Sequence, residues 1–156
     1  MNTYTRLPVE FATGEGSWLY DTDGNAYLDA LSGIAVCSLG HCHAKVTQAI
    51  SEQAATLVHT ANICHIGHQQ ELADKLCANS GMENVFFANS GAEANEAAIK
   101  LARLPRGKTG LVSAMRGFHG RTLGALSVTF KYRDAFEPLL PNCSFVPFNQ
   151  VDKLDR

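Results

Sequence analysis

The sequence predicts an α/β fold, and two observations favour this class. Two short apolar runs, at residues 84–88 and 110–115, lie on either side of a strongly helical segment at 92–104. Strand, helix and strand within about thirty residues are typical of a βαβ unit in a parallel sheet. The composition agrees, because 46% of the 156 residues are hydrophobic and only 18% are charged, as in folded domains with an apolar core.

Charge and composition argue against several classes of protein. The 13 basic and 15 acidic side chains give a net charge of −2, which predicts neither a nucleic-acid surface nor an acidic tail. No apolar run reaches the roughly 18 residues of a membrane span, and residues 1–6 have no apolar signal region. We therefore expect a cytoplasmic protein whose five cysteines are reduced thiols.

The first sixty residues are predicted to form a hairpin, a loop and a helix. β-prone residues at 17–29 flank Asp23-Gly24, a dipeptide that favours tight hairpin turns. The glycine-punctuated stretch 32–41 is expected to be a partly buried loop. From Ala44 to about His59, apolar residues recur at the i, i+3, i+4 spacing of one helical face.

The following residues are predicted to alternate between helices and strands. A helix at 69–77 should end at Asn79-Ser80-Gly81, and the apolar run 84–88 has the length of a strand. In the next helix, Ser90 and Glu93 fit a capping box, in which the glutamate folds back onto the Ser90 N–H. Pro105 should end that helix. Later elements are expected at 110–115 (strand), 122–128 (helix) and 144–146 (strand).

Two loops that leave predicted strands carry the candidate binding residues, because ligands of parallel sheets sit beyond the strands' carboxyl ends. In the loop 88–92, Gly91 places free N–H groups at a helix N-terminus, where a phosphate binds favourably. The alternative is an ordinary turn in which Ser90 only caps the helix. Glu93 opposes an anion unless it folds back as a capping box requires.

The loop 116–122 concentrates side chains that can hold a flat, anionic ligand. Phe118 can stack on a heterocycle, His119 can titrate or donate a hydrogen bond, and Arg121 can grip a carboxylate with its two-pronged guanidinium. The alternative is a solvated turn with a core phenylalanine and a surface arginine. Histidines and cysteines also cluster at 37–43 and 64–68, but their spacing fits no zinc motif, so we predict no metal site.

The chain contains two motifs one after the other, Asn89-Ser90-Gly91-Ala92-Glu93-Ala94-Asn95-Glu96 and Phe118-His119-Gly120-Arg121-Thr122. Together they resemble the motifs of class III (subgroup II) pyridoxal-phosphate-dependent aminotransferases. Within that family the chain is most similar to the acetylornithine aminotransferase group. The resemblance implies the N-terminal part of the aspartate aminotransferase-like fold (fold type I), with an incomplete, parallel-type sheet. Residues 1–60 would supply small-domain strands, an active-site loop and a helix, and 61–156 would begin the large coenzyme domain.

The same resemblance implies a cofactor, a reaction and site residues. Ser90, Gly91 and Ala92 match the loop that binds the phosphate of pyridoxal 5'-phosphate, and Phe118 matches the aromatic side chain against its ring. Arg121 matches the arginine that binds the substrate α-carboxylate. The implied reaction, in arginine biosynthesis, moves the terminal amino group of N-acetylornithine to 2-oxoglutarate, in a homodimer that binds neither nucleic acid nor membrane.

No catalytic residue is assigned, because the family's coenzyme-bearing lysine and its ring-pairing aspartate do not fall within these 156 residues. We therefore expect the chain alone to be inactive or nearly so. Related substrates stay open, namely ornithine, succinylornithine, succinyldiaminopimelate and 4-aminobutyrate. Two further alternatives are a non-catalytic binding module and, more remotely, a metal-binding domain built on the histidines and cysteines.

Overall fold

A computed structural model describes residues 4–104 and 107–154. The chain divides into two compact units, Met1–Ile66 and Gly67–Arg156. The predicted division after residue 60 lies a few residues earlier. The assignment of the two segments to a small and a large domain stays a prediction.

The first unit contains a three-stranded antiparallel sheet made of β1 (Phe11–Glu15), β2 (Trp18–Asp21) and β3 (Ala26–Leu28). The predicted hairpin is confirmed as β2 and β3. The Asp21 carboxylate accepts the N–H groups of Asp23 at 3.0 Å and Asn25 at 2.8 Å, which fixes the turn. Strand β1 was not predicted, since its sequence shows no clear alternation of apolar and polar residues.

The stretch 32–41 differs from its prediction as a partly buried loop. It contains one helical turn, α1 (Ser32–Ala35), in which all four residues have positive φ, so the turn is left-handed. Most of its apolar side chains face outward, with Ile34 80% and Val36 79% exposed. The sequence could not predict this turn, because residues with a Cβ, and isoleucine above all, disfavour positive φ.

Two helices agree with their predictions to within a few residues. These are α2 (Ala44–Thr56) in the first unit and α3 (Gly67–Ser80) in the second. Helix α3 is followed by Gly81 with φ +72°, the left-handed conformation that commonly terminates helices. Among the described helices, none combines the length and the apolar character needed to cross a membrane.

The second unit also contains α4 (Gly91–Arg103), β4 (Leu111–Ala114), α5 (Leu123–Ser127) and β5 (Cys143–Val146). Strands β4 and β5 pair in parallel over their full lengths. All four elements were predicted at these places. Pro105, the predicted end of α4, lies outside the described residues.

The predicted strand at 84–88 is wrong, and with it the first strand of the proposed βαβ unit. Val85 and Phe87 are partly covered while Phe86 is 71% exposed, an alternation that suits extended chain. A strand also requires hydrogen bonds to a neighbour, and in the part of the chain that the structure describes no other strand pairs with this run. The parallel pair is β4 with β5 instead.

The core of the second unit is small and partly polar. Its buried apolar side chains among the described residues are Ile99, Ala125 and Leu126, and its buried polar ones are Ser113, Ser127 and Thr129. Thr129 is fully buried, and its hydroxyl lies 2.9 Å from the Ala125 carbonyl and 3.1 Å from that of Gly120. The core therefore lies under the loop between β4 and α5, where the candidate residues are.

Candidate functional site

The first candidate loop leads into the N-terminus of α4, where Ser90 is the N-cap residue. Its hydroxyl accepts the Glu93 N–H at 3.2 Å, as predicted. The Glu93 carboxylate does fold back, but onto the Asn89 N–H at 2.7 Å and not onto that of Ser90. Among the described residues, no hydrogen bond uses the N–H groups of Gly91 and Ala92. These two donors remain available to an anion.

Buried Thr129 fixes the second candidate loop from below. Its hydroxyl oxygen accepts the His119 N–H at 2.9 Å and lies within hydrogen-bonding distance of the Gly120 carbonyl, at 3.1 Å. The chain turns into the loop through a 2.9 Å bond from the Gly117 N–H to the Ala114 carbonyl. The backbone of the loop is thus held at Gly117, His119 and Gly120.

His119 joins this loop to its surroundings. Its ring Nε2 lies 3.1 Å from the Ser113 hydroxyl, and its carbonyl accepts a 2.7 Å hydrogen bond from the side-chain amide of Asn95. One ring nitrogen of His119 is therefore engaged by Ser113, and its backbone carbonyl is engaged by Asn95. That His119 has no catalytic role stays a prediction.

The two loops touch at Gly120. A Cβ added to Gly120 would lie 2.6 Å from the Ala92 Cβ, and the residue has φ +132°, so both space and conformation require glycine. The loops enclose an open cavity of about 560 Å³, a size typical of small-molecule sites. Its lining comprises Gly91, Ala92, Asn95, Phe118, His119, Gly120, Arg121 and Thr122.

Four of the five predicted site residues line this cavity, namely Gly91, Ala92, Phe118 and Arg121. Ser90 does not line it but caps the helix beside it. The Phe118 ring is 60% exposed, which leaves a face available for stacking. The structure thus brings the two candidate loops together; which ligand these residues bind stays a prediction.

Sequence reasoning did not assign roles to Asn95 and Glu96 of α4, which hold the second loop. The Glu96 carboxylate accepts the N–H groups of Gly124 at 2.8 Å and Ala125 at 3.2 Å, so it caps α5. A hydrogen bond with the Thr122 hydroxyl, followed by these two backbone bonds, lowers the pKa of Glu96 from its usual range despite partial desolvation. The sequence did offer one signal for Asn95 and Glu96, because both polar residues lie among the alanines of the α4 helix.

The histidines and cysteines serve no common centre in the described residues, where no group of three metal-ligating side chains lies together. All five cysteines are free. His41 pairs with Asp29 instead, at 2.7 Å between Nε2 and Oδ2. A hydrogen bond from His41, together with backbone bonds from Ser32 and Leu31, lowers the pKa of Asp29.

Several curated relatives similar to this chain share the name acetylornithine aminotransferase. The acetylornithine aminotransferase of Nitrosomonas europaea is 53% identical over 100% of the chain, and that of Methanocaldococcus jannaschii is 49% identical over 99% of it. The chain covers 42% and 41% of these two proteins. It therefore spans about two-fifths of the length of the curated relatives it matches.

Solved structures show the same similarity. The ornithine aminotransferase of Toxoplasma gondii has a TM-score of 0.90 at 29% identity, covering 99% of this chain and 39% of that one. The taurine:2-oxoglutarate aminotransferase of Bifidobacterium kashiwanohense, solved with pyridoxal phosphate and glutamate, has a TM-score of 0.86 at 28% identity. It covers 94% of this chain and 35% of that one.

A family model agrees with these similarities over nearly the whole sequence. The model described as aminotransferase class-III matches residues 1–155. The fold predicted for this family is confirmed by the solved structures, and pyridoxal phosphate, the predicted cofactor, is named in one of those described above. The chain belongs to the class III aminotransferase family.

Proposed function

We propose that the cavity between the two loops binds pyridoxal 5'-phosphate. The N–H groups of Gly91 and Ala92 would hold the phosphate, and Phe118 would cover the ring. Three observations fit this group: the two donors make no hydrogen bond within the described residues, a Cβ at Gly91 would meet only open space, and the Glu93 carboxylate is occupied by Asn89. The bound coenzyme supplies the electron sink of amino transfer.

Arg121 would bind the α-carboxylate of the amino-acid substrate. It lines the same cavity as Gly91 and Phe118, and this juxtaposition is the observation that carries the proposal. A guanidinium group matches a carboxylate with two parallel hydrogen bonds, so it fixes orientation as well as charge. The site would thereby hold the amino-acid substrate with its terminal amino group toward the coenzyme.

The substrates proposed are N-acetylornithine and 2-oxoglutarate. Support comes from relatives named acetylornithine aminotransferase, at 46–53% identity, against 29% for the ornithine enzyme of Toxoplasma gondii. We also propose that the enzyme acts in the cytoplasm, where its five free cysteines stay reduced, and that it works as a homodimer. The 156 residues by themselves are proposed to lack transaminase activity.

A chimera tests the reaction. This chain replaces the matching part of the Nitrosomonas europaea enzyme, and amino transfer to 2-oxoglutarate is measured with N-acetylornithine, ornithine, succinylornithine and 4-aminobutyrate. We expect N-acetylornithine to give the highest kcat/KM. A chimera that retains pyridoxal phosphate but prefers ornithine would contradict the substrate, and one that transfers no amino group would contradict the function.

Arg121→Ala in that chimera should raise KM for N-acetylornithine on the order of 100-fold, because a charged two-pronged contact is lost. Retention of pyridoxal phosphate during dialysis should change little. Arg116→Ala is the control, since Arg116 is an exposed arginine of the same loop that does not line the cavity. Equal loss of coenzyme and substrate binding in Arg121→Ala would contradict the role given to Arg121.

The chain alone should form no specific lysine adduct with pyridoxal phosphate. None of its six lysines lies in the family motif that carries the coenzyme. After mixing with pyridoxal phosphate and reduction with borohydride, mass spectrometry should show scattered, substoichiometric labelling. One lysine labelled at a ratio near one per chain would overturn the proposal that these residues lack the coenzyme-bearing group.

A further inference from the structure

Glu96 connects the helix that presents the anion-binding N–H groups to the loop that presents Arg121. It lies on α4, in the turn after Gly91 and Ala92. Its carboxylate accepts the N–H groups of Gly124 and Ala125, which open helix α5 directly after the loop. One side chain thus links the two elements that carry the cavity lining, without lining the cavity itself.

The cap at the start of α5 depends on Glu96. Thr122 is the N-cap residue of α5, yet its own side chain makes no capping hydrogen bond to that helix. The carboxylate of Glu96 takes its place and satisfies two backbone donors that a helix start leaves open. A Cβ at Gly124 would overlap the Glu96 carboxylate, so the approach is as close as the backbone permits.

We propose that Glu96 is a positioning residue for the substrate carboxylate: by capping α5 it fixes the backbone that carries Arg121 and Thr122 above the α4 N-terminus. This inference rests on the proposed role of Arg121. Glu96 itself does not line the cavity and would touch neither substrate nor coenzyme. Its effect would therefore fall on substrate binding more than on the chemical step.

Three substitutions in the chimera separate the geometry of Glu96 from its charge. Glu96→Ala removes both hydrogen bonds, and we expect KM for N-acetylornithine to rise about tenfold, with kcat reduced less than about threefold. Glu96→Gln keeps an acceptor oxygen at the same reach and should restore KM to within about twofold of the parent. Glu96→Asp keeps the charge but shortens the reach, and should give an intermediate KM.

A readout on the chain itself tests the structural half of the inference. Hydrogen exchange of the amides at 122–126 should be faster in Glu96→Ala and near normal in Glu96→Gln, because only the former leaves the α5 start uncapped. Gly124→Ala should reproduce the effect of Glu96→Ala, since a Cβ there displaces the carboxylate. Glu71→Ala is the control, as Glu71 is an exposed glutamate on α3 of the same unit.

The outcomes distinguish this inference from the proposed function. If Arg121→Ala raises KM and Glu96→Ala does not, the positioning role is wrong and the proposed function stands. If Glu96→Asp behaves as the parent while Glu96→Gln fails, the charge matters and not the cap, which also overturns the inference. Unchanged KM in Arg121→Ala would instead overturn the proposed role of Arg121, on which the inference rests.

Discussion

Two loops of this chain, one in each unit, are held in the same way by a carboxylate. In the first unit Asp29 accepts the N–H groups of Leu31 at 3.2 Å and Ser32 at 2.7 Å. In the second, Glu96 accepts those of Gly124 at 2.8 Å and Ala125 at 3.2 Å. The two carboxylates differ in one further partner each. Asp29 also pairs with the His41 ring, and Glu96 also forms a hydrogen bond with the Thr122 hydroxyl.

The surroundings of the two loops differ more than their hydrogen bonds. Asp29 and His41 hold an outward-facing left-handed turn, and no described residue of the first unit is fully buried. The Glu96 loop also rests on buried Thr129 and on the close contact of Gly120 with Ala92. The second loop is thus fixed by packing in addition to a carboxylate, whereas the turn in the first unit depends on the Asp29 carboxylate and its hydrogen bonds.

The contact at Gly120 should have the largest effect on stability. Gly120→Ala places a Cβ against Ala92 in a backbone conformation that alanine disfavours, and we expect the second unit to lose about 3 kcal/mol of unfolding free energy. Hydrogen exchange of peptides covering 113–129 measures this loss.

The matched control for that change is Gly81→Ala. Gly81 also has positive φ, +72°, but a Cβ there would meet nothing within 4 Å. It should cost only about 1 kcal/mol, the conformational part of the effect. Equal losses in the two variants would show that the contact between the loops contributes nothing to the stability of the second unit.

Removal of the buried hydroxyl beneath the loop should have the next largest effect. Thr129→Val keeps the shape of the side chain but leaves the His119 N–H and the carbonyls near it without this partner. We expect a loss of about 2 kcal/mol, measured by hydrogen exchange over the same peptides.

Thr56→Val provides the comparison for Thr129→Val. The Thr56 hydroxyl makes the same kind of bond, to the carbonyl four residues earlier, at 2.8 Å on the exposed face of α2. Because water replaces that partner, the change should stay within about 0.5 kcal/mol. A comparable loss at both positions would contradict the view that burial sets the cost at Thr129.

The sequence predicted most elements of the second unit, because their signals are local. The Ser90 cap, the apolar periodicity of α4 and the apolar runs of β4 and β5 each lie within a few consecutive residues. The run at 84–88 has the same local signal, yet no other strand pairs with it in the described part of the chain. Strand formation depends on a neighbour that local patterns do not reveal.

The residues of the candidate site also divide into those with a local sequence signal and those whose role depends on distant contacts. Gly91, Phe118 and Arg121 were identifiable from residue type and motif, whereas Asn95 and Glu96 act on backbone atoms more than twenty residues away. The left-handed turn at 32–35 was missed for a related reason. Its conformation is held by Asp29 and opposes the preference of the residues that adopt it.

The smallest expected effect is a dependence on pH confined to the first unit. The pKa of Asp29 lies below the ordinary value of about 4, so the ionised carboxylate stabilises the folded state above that pH. This stabilisation is lost as the pH falls through the lowered pKa of Asp29. The difference in thermal midpoint between the parent and Asp29→Asn should therefore be steady above about pH 5 and shrink as the pH falls below about 4.

Trp18 makes this prediction measurable, because it is the single tryptophan of the sequence and lies in β2 of the same unit. Thermal melts followed by its fluorescence report the first unit alone. Asp23→Asn is the control, since it removes one negative charge from the exposed hairpin turn of that unit. A midpoint difference for Asp29→Asn that does not shrink as the pH falls below about 4 would show that the ionised carboxylate does not hold the turn. The contrast between the two loops would then lie in burial alone and not in the ionisation of Asp29.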